Sequence, residues 1–260
     1  MTSDDLALTG ERTVPGIARE NYWFRRHLVV YEALAPRCRG VVLEAGCGEG
    51  YGADLLAVEA RVLALDYDAA AIRHVGRRYP RVAAARANLV ALPVRDGEVD
   101  AVVSLQVVEH LWDQGLFLRE CRRVLRPGGA LLLSTPNRLT FSPGRDTPLN
   151  PFHTRELSAA ELAALLVEAG FVDVVVLGLL HGPRLCALDA AHGGSLIAAQ
   201  TAAVLAEAAG PAEAWPAALL RDVATVTTAD FALRPDGPGH PLDASLDLVA
   251  LAHTPAESPF

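Results

Sequence analysis

Val41-Val42-Leu43-Glu44-Ala45-Gly46-Cys47-Gly48-Glu49-Gly50-Tyr51-Gly52 is an apolar run that passes into a glycine-rich turn and then into a helical stretch. Glycines at such a turn let the backbone approach a ligand closely. The dinucleotide spacing G-x-G-x-x-G would need a third glycine at position 51, which Tyr51 occupies; the third glycine is Gly50, so the spacing is G-x-G-x-G. No G-K-[ST] follows, which excludes a phosphate-binding P-loop. What remains is a nucleoside ligand without a pyrophosphate.

The same alternation repeats outward from this stretch. Apolar runs at 61–65, 99–104 and 130–134 join the one at 41–45, a weaker run from Arg81 to Arg86 supplies the third strand, and helical stretches at 51–59, 68–78 and 112–125 lie between them. Continuous apolar strands separated by helices predict an α/β fold, a parallel sheet covered on both faces. Upstream, residues 1–19 read as an extended arm. A helix then runs from Glu20 to Leu34 with Trp23, Phe24, His27, Leu28, Tyr31 and Leu34 at helical spacing, stopped by Pro36. Downstream of 134 comes a loop with Pro136, Pro143, Gly144, Pro148 and Pro151, too long for an ordinary connection. Ser158 and Glu161 form a capping-box pattern for a helix at 158–169, followed by a strand at 171–177 and a last strand at 245–252. The division expected is one domain over 1–260: arm and lid helix 1–36, ligand-binding core 37–178, an insertion at 179–244 with one helix from Ser195 to Ala209, and the last strand.

With 260 residues, 51% of them hydrophobic, the chain can bury a sizeable core. A formal charge of −8 and the lack of a long basic run argue against a nucleic-acid partner. All 23 basic side chains are arginine, from which no function is drawn. Cys38, Cys47, Cys121 and Cys186 lie far apart without C-x-x-C spacing, so neither zinc nor a disulfide framework is expected and a reducing cytoplasm fits. The start at Ser3, Asp4 and Asp5 shows no targeting pattern, and no apolar run reaches membrane-spanning length.

The motif Glu44-x-Gly46-x-Gly48-x-Gly50 resembles motif I of class I S-adenosylmethionine-dependent methyltransferases. The resemblance implies a Rossmann-like fold, mostly parallel, with an antiparallel last strand, and S-adenosylmethionine as cofactor. It implies that Asp66 accepts the ribose hydroxyls and Tyr67 flanks the adenine, that Asn88 meets the adenine amino group and Leu89 covers the ring, and that Gln106 belongs to the same site. Arg126-Pro127-Gly128-Gly129 is similar to the family's turn before the fifth strand.

For the methyl acceptor, the D-P-P-Y or N-P-P-Y of base-methylating enzymes is replaced by Ser104-Leu105-Gln106-Val107-Val108-Glu109-His110-Leu111, which disfavours a nucleic-acid base. Thr9 to Pro15, Tyr22 to His27 and Asn150-Pro151-Phe152-His153-Thr154-Arg155-Glu156-Leu157 resemble actinobacterial sugar O-methyltransferases, most closely the mycobacterial 1-O-methyltransferases of methylmannose polysaccharide biosynthesis. The acceptor so implied is a short 3-O-methylated mannoside. A sugar hydroxyl is a poor nucleophile, and an imidazole placed beside it adds ~10²–10⁴-fold by taking its proton. His153 in the long loop is the first candidate and His110 the second, with Glu109 orienting either. Against catalysis stands the reading that His153 caps the next helix or packs by Phe152. Tyr22, Arg26 and His27 reach the cofactor's methionine end if the first helix is a lid, or pack on the sheet if it is not; His181 and Arg184 line the acceptor site or form a turn. Magnesium is compatible with Asp113, Glu109, His110 and His153 without being demanded by their spacing, and a homo-oligomer is compatible too. The competing acceptor is a quinone or polyketide; the competing class is a non-catalytic binding module, against which the intact Gly46, Gly48, Gly50 and Asp66 argue.

Overall fold

The computed structural model describes residues 12–209 and 215–256, so the first eleven residues of the expected arm, Thr9 to Glu11 among them, lie outside the described residues. Strands β1 (Gly40–Ala45), β2 (Ala60–Asp66), β3 (Ala83–Arg86), β4 (Val99–Leu105), β5 (Leu125–Pro136), β6 (Val172–His181), β7 (Phe231–Pro235) and β8 (Asp247–His253) form one sheet in the order β3-β2-β1-β4-β5-β8-β6-β7. β1 to β5 pair in parallel, while β8 runs antiparallel between β5 and β6. The antiparallel last strand is therefore as expected.

Successive residues of β1 serve opposite faces. Val42 joins the core with Val62, Ala101 and Val103, whereas Leu43 joins the core with Leu65, Val102, Phe117 and Leu118. Helices α1 (Asn21–Leu34) and α2 (Tyr51–Leu56) cover the first face; α4 (Gln114–Val124) and α6 (Ala159–Glu168) cover the second. Both faces being buried explains why the strands read as unbroken apolar runs rather than alternating ones. α3 (Ala69–Arg78) links β2 to β3, and α5 (Arg138–Phe141) is a single turn inside the long loop. Pro36 does end α1, yet the chain continues as a 3₁₀ turn, Ala35–Arg37, because proline is tolerated where no helical donor is needed.

Three expectations change. The region 179–244 holds more than one helix: α7 (Pro183–Ala191), α8 (Leu196–Ala209) and α9 (Ala217–Ala224), plus β7, which extends the sheet beyond β6. β6 runs on to His181, past the boundary drawn at 178. Gly178 does not end the strand; a Cβ there would come within 2.7 Å of the Ser245 side chain, so the glycine admits a close neighbour. The Arg126-Pro127-Gly128-Gly129 turn falls within β5, and the β4–β5 register slips between Val99 and Ala101 to accommodate it. The four cysteines are unpaired, with Cys186 exposed and the others buried.

The chain reverses its direction of strand addition between β1 and β4, and ligands of such sheets bind at that switch point beyond the carboxyl ends of the strands. Glu44, Asp66, Gln106 and the loop after β5 all meet at this edge.

Candidate active site

Gly46, Gly48 and Gly50 have φ of 89°, 54° and 97°, the left-handed region that excludes most side chains. At Gly50 a Cβ would also press within 2.6 Å of Val75 and 3.0 Å of the Tyr79 ring. Gly48 differs: among the described residues its Cβ would meet only Arg12, at 3.9 Å. The Gly48 amide donates to Asp66 Oδ2 at 2.9 Å and the Asp68 amide to Oδ1 at 2.8 Å. Two amides thus fix the Asp66 carboxylate and leave each oxygen a second lone pair. Tyr67 is exposed, with the Arg86 guanidinium 5.1 Å from its ring centroid. Asn88 is exposed on the adjoining strand end and Leu89 is buried below it.

Glu44 is fully buried. Tyr31 donates to its Oε1 at 2.5 Å, while Oε2 has no partner among the described residues. Burial pushes its carboxyl up to about 8, against the Tyr31 bond and with the nearby Asp66 charge. Gln106 directly follows β4 with φ of 57°, rare outside glycine, held by its amide to Ser134 O at 2.9 Å and its side chain to Ser134 Oγ at 3.1 Å. Backbone strain of this kind collects at functional sites.

The described end of the arm crosses this turn. Arg12 donates to Asp68 at 2.8 Å, and the Thr13 hydroxyl lies 2.9 Å from Tyr51 Oη and 3.4 Å from His27 Nδ1. Deleting residues 1–16 is expected to leave a folded chain, since Asn21 and Tyr22 anchor α1 independently, but to weaken turnover by leaving the cleft open to water. Thermal melting and initial rates on the truncated protein check this; full activity would make the strap dispensable.

α1 itself is held inward. Tyr22 is fully buried, its hydroxyl 2.7 Å from His181 Nε2, and His181 Nδ1 lies 2.6 Å from Asp189. Arg26 makes a buried bidentate pair with Asp247, both bonds 2.6 Å, with Nη1 left unpartnered among the described residues. Burial drives His27 down to about 4, so it is neutral at physiological pH. Arg184 donates to Asp230 and Thr225, with its side chain still 44% exposed. Of the acceptor-site candidates, Tyr22 and His181 meet each other in the interior and Arg184 pairs with Asp230 at the start of α7.

The strongest chemical cluster lies where the loop after β5 docks on the segment after β4. The Thr154 amide and hydroxyl donate to Glu109 O at 2.7 and 3.1 Å, which brings His153 beside His110 with ring centroids 4.8 Å apart. His153 Nδ1 lies 2.7 Å from Glu156 Oε1, and the Asn150 amide donates to Nε2 at 3.0 Å. An amide donor on Nε2 and a carboxylate on Nδ1 define the neutral tautomer with its proton on Nδ1 and its basic lone pair on Nε2. Glu109 does not orient His153: its Oε2 accepts from Thr135 at 3.0 Å, its Oε1 stands 4.0 Å from His110 Nε2, and burial raises its carboxyl to about 8. His110 Nδ1 is bonded to Phe152 O at 3.1 Å. Glu156, absent from the sequence-derived candidates, is the orienting carboxylate. Its signal was a carboxylate three residues after the histidine.

Donor atoms of Glu109, His110 and His153 lie within 4.8 Å of one another. Two imidazoles and one carboxylate suit a transition metal better than magnesium, which favours oxygen. Arg138, Ser142, Arg145, Asp146, Thr147, Pro148, Thr154, Arg155, Glu156 and Glu161 line a partly open cavity of ≈340 Å³, which of the His153–Glu156 pair only Glu156 borders.

Residues 43–133 match the model of a methyltransferase domain. A "probable S-adenosylmethionine-dependent methyltransferase" of Mycobacterium tuberculosis is 61% identical over 252 residues, 96% of this chain and 90% of the relative. The chain belongs to the S-adenosylmethionine-dependent methyltransferases. The cofactor is accordingly S-adenosylmethionine and the fold that of the family. A methyltransferase structure from Thermotoga maritima superposes with a TM-score of 0.57 at 20% identity, covering 89% of this chain and 93% of that one, a likeness of fold alone. A ubiquinone biosynthesis O-methyltransferase of Xanthomonas axonopodis is 31% identical over 160 residues, 55% of this chain and 66% of its own length. Among the described residues no helix is long and apolar enough to cross a membrane.

Proposed function

We propose that this methyltransferase transfers its methyl group to a sugar hydroxyl, the 1-OH of a short 3-O-methylated mannoside in methylmannose polysaccharide biosynthesis. The observation that carries the reading is the cavity that Glu156, the partner of His153, helps to line with arginine, serine, threonine, proline and other carboxylate side chains. Such a lining suits a ligand covered with hydroxyl groups, whereas a quinone ring asks for apolar walls.

The residues at the switch point fit the cofactor. Gly48 offers a backbone face that, among the described residues, only Arg12 nears, Asp66 holds two oxygens ready for ribose hydroxyls, and Glu44 keeps an unpartnered buried oxygen where a cationic amino group is needed. Gly46 and Gly50 shape the turn, Tyr67, Asn88 and Leu89 border the adenine, and Gln106 closes the side next to β5. The bound cofactor supplies a methyl carbon made electrophilic by its sulfonium. His153 Nε2 takes the hydroxyl proton, the acceptor replacing the Asn150 amide as donor, while Glu156 steadies the imidazolium through Nδ1–H. His110, edge-on to His153, limits the ring's rotation.

Release of S-adenosylhomocysteine with mannosides, a ubiquinone precursor and RNA as acceptors tests the assignment. Turnover confined to the quinone would replace the sugar reading.

Glu44 gives a second test. With its folded value near 8 against an ordinary 4.5, the free protein holds a proton that the unfolded chain has lost, so this group's contribution to stability falls as pH rises from about 4.5 to about 8. A cation placed beside Glu44 reverses the preference and expels that proton. Cofactor binding near pH 7 should release about one proton, read as the buffer dependence of the calorimetric heat, and Glu44→Gln should abolish the release. An unchanged proton count in the variant removes Glu44 from the cofactor site.

A further inference from the structure

A donor atom from each of Glu109, His110 and His153 falls within 4.8 Å of the other two, close enough for one ion to be reached by all three. Each of these side chains is also held from behind. The Phe152 carbonyl lies 3.1 Å from His110 Nδ1 and the Glu156 carboxylate 2.7 Å from His153 Nδ1, so both rings carry their proton on Nδ1 and their lone pair on Nε2. Glu109 Oε2 accepts from Thr135 at 3.0 Å, and its Oε1 stands 4.0 Å from His110 Nε2. A carbonyl or carboxylate behind each imidazole, with a hydroxyl behind the carboxylate, is the outer shell by which metal-ligating side chains are fixed in tautomer and direction. The His110 side chain is 23% exposed against 5% for His153 and 1% for Glu109, so an ion enters past His110.

We propose that Glu109, His110 and His153 bind a divalent transition ion of the zinc type, with a fourth position left open, and that the ion silences the enzyme by taking the Nε2 lone pair of His153. The site rests on these side chains alone; the silencing rests on the reading of His153 as the base. Two imidazoles favour zinc over magnesium, which asks for oxygen ligands. On binding, the ion displaces the Asn150 amide from Nε2, as the acceptor hydroxyl does in turnover. Ion and hydroxyl proton therefore compete for one nitrogen.

The test is calorimetric titration of zinc into chelator-treated wild type, with Glu109→Gln, His110→Ala and Glu156→Gln alongside. One zinc per chain is expected, bound roughly 10-fold or more weakly by the two ligand variants and about 10- to 100-fold more weakly by Glu156→Gln, which meets no ion but loosens the His153 ring. Excess magnesium should not displace it, and cobalt in its place should show the visible absorption of a four-coordinate ion. Melting curves establish that each variant is folded, and Glu109→Gln, which keeps the side chain's shape, decides the matter where His110→Ala does not fold. Zinc that binds every variant alike, or fails to bind wild type, overturns the site. On whichever acceptor the enzyme methylates, turnover should fall as zinc fills the site and the apparent KM for the acceptor should rise; undiminished turnover at full occupancy overturns the silencing. Failure of wild type to methylate any mannoside sinks the sugar reading, and the calorimetric result stands apart from it.

Discussion

Replacing His153 with alanine is expected to lower kcat by roughly 10²-fold or more on the preferred acceptor while cofactor affinity stays near wild type. The expectation follows from the neutral tautomer: Glu156 holds the Nδ1 proton at 2.7 Å, so the basic nitrogen is the one reached by a donor from the loop side. Glu156→Gln keeps the shape but removes the charge that stabilises the imidazolium, and should cost an intermediate factor, with rates falling at every pH rather than shifting KM. A capping or packing role predicts something else. His153 has a side-chain exposure of only 5%, and the Phe141 ring lies 5.3 Å from it, so loss of melting temperature and cofactor affinity in parallel with rate would assign it to the loop's architecture. A defect confined to His110→Ala would transfer the base to that residue, and near-normal kcat in His153→Ala would end the proposal.

The cofactor half was legible because its signals are local. A glycine spacing, an acid at the end of β2 and a helical period each occupy a few consecutive residues, and buried parallel strands announce themselves as apolar runs. β7 escaped because Phe231-Ala232-Leu233-Arg234-Pro235 is five residues long and contains a proline that an edge strand tolerates. β6 runs past the expected end at 177, through Gly178, whose close neighbour Ser245 is distant in sequence. The acceptor side was only half visible. His153 stood out by residue type, but its orienting partner is fixed by a loop conformation in which residues 153 and 156 turn toward each other outside any helix. Tyr22–His181 and Arg26–Asp247 span 159 and 221 residues, distances over which a single sequence carries no pairing signal. Tyr22 and Arg26 on α1, for which the sequence left a lid and a packing role open, also tie the helix to β6 and β8.

Asp66→Ala is expected to weaken binding of S-adenosylmethionine and S-adenosylhomocysteine by about 1.5–3 kcal/mol, or roughly 10- to 150-fold, the range for hydrogen bonds to a charged group. Two effects contribute and can be separated. The carboxylate is an acceptor for ribose hydroxyls, and it also receives the Gly48 and Asp68 amides, so it holds the glycine turn against the start of α3. Asp66→Asn preserves one acceptor oxygen and approximate shape while losing the charge and one of the two acceptors. If the turn is what matters, Asn should weaken both the nucleoside adenosine and the full cofactor nearly as much as Ala, with a lowered melting temperature. If ribose recognition dominates, 2′,3′-dideoxyadenosine should lose affinity for wild type relative to adenosine yet bind the Ala variant no worse than adenosine does. Affinities in Asp66→Ala equal to wild type for both cofactor forms would take Asp66 out of the ribose site and leave it a structural strut between β2 and the glycine turn.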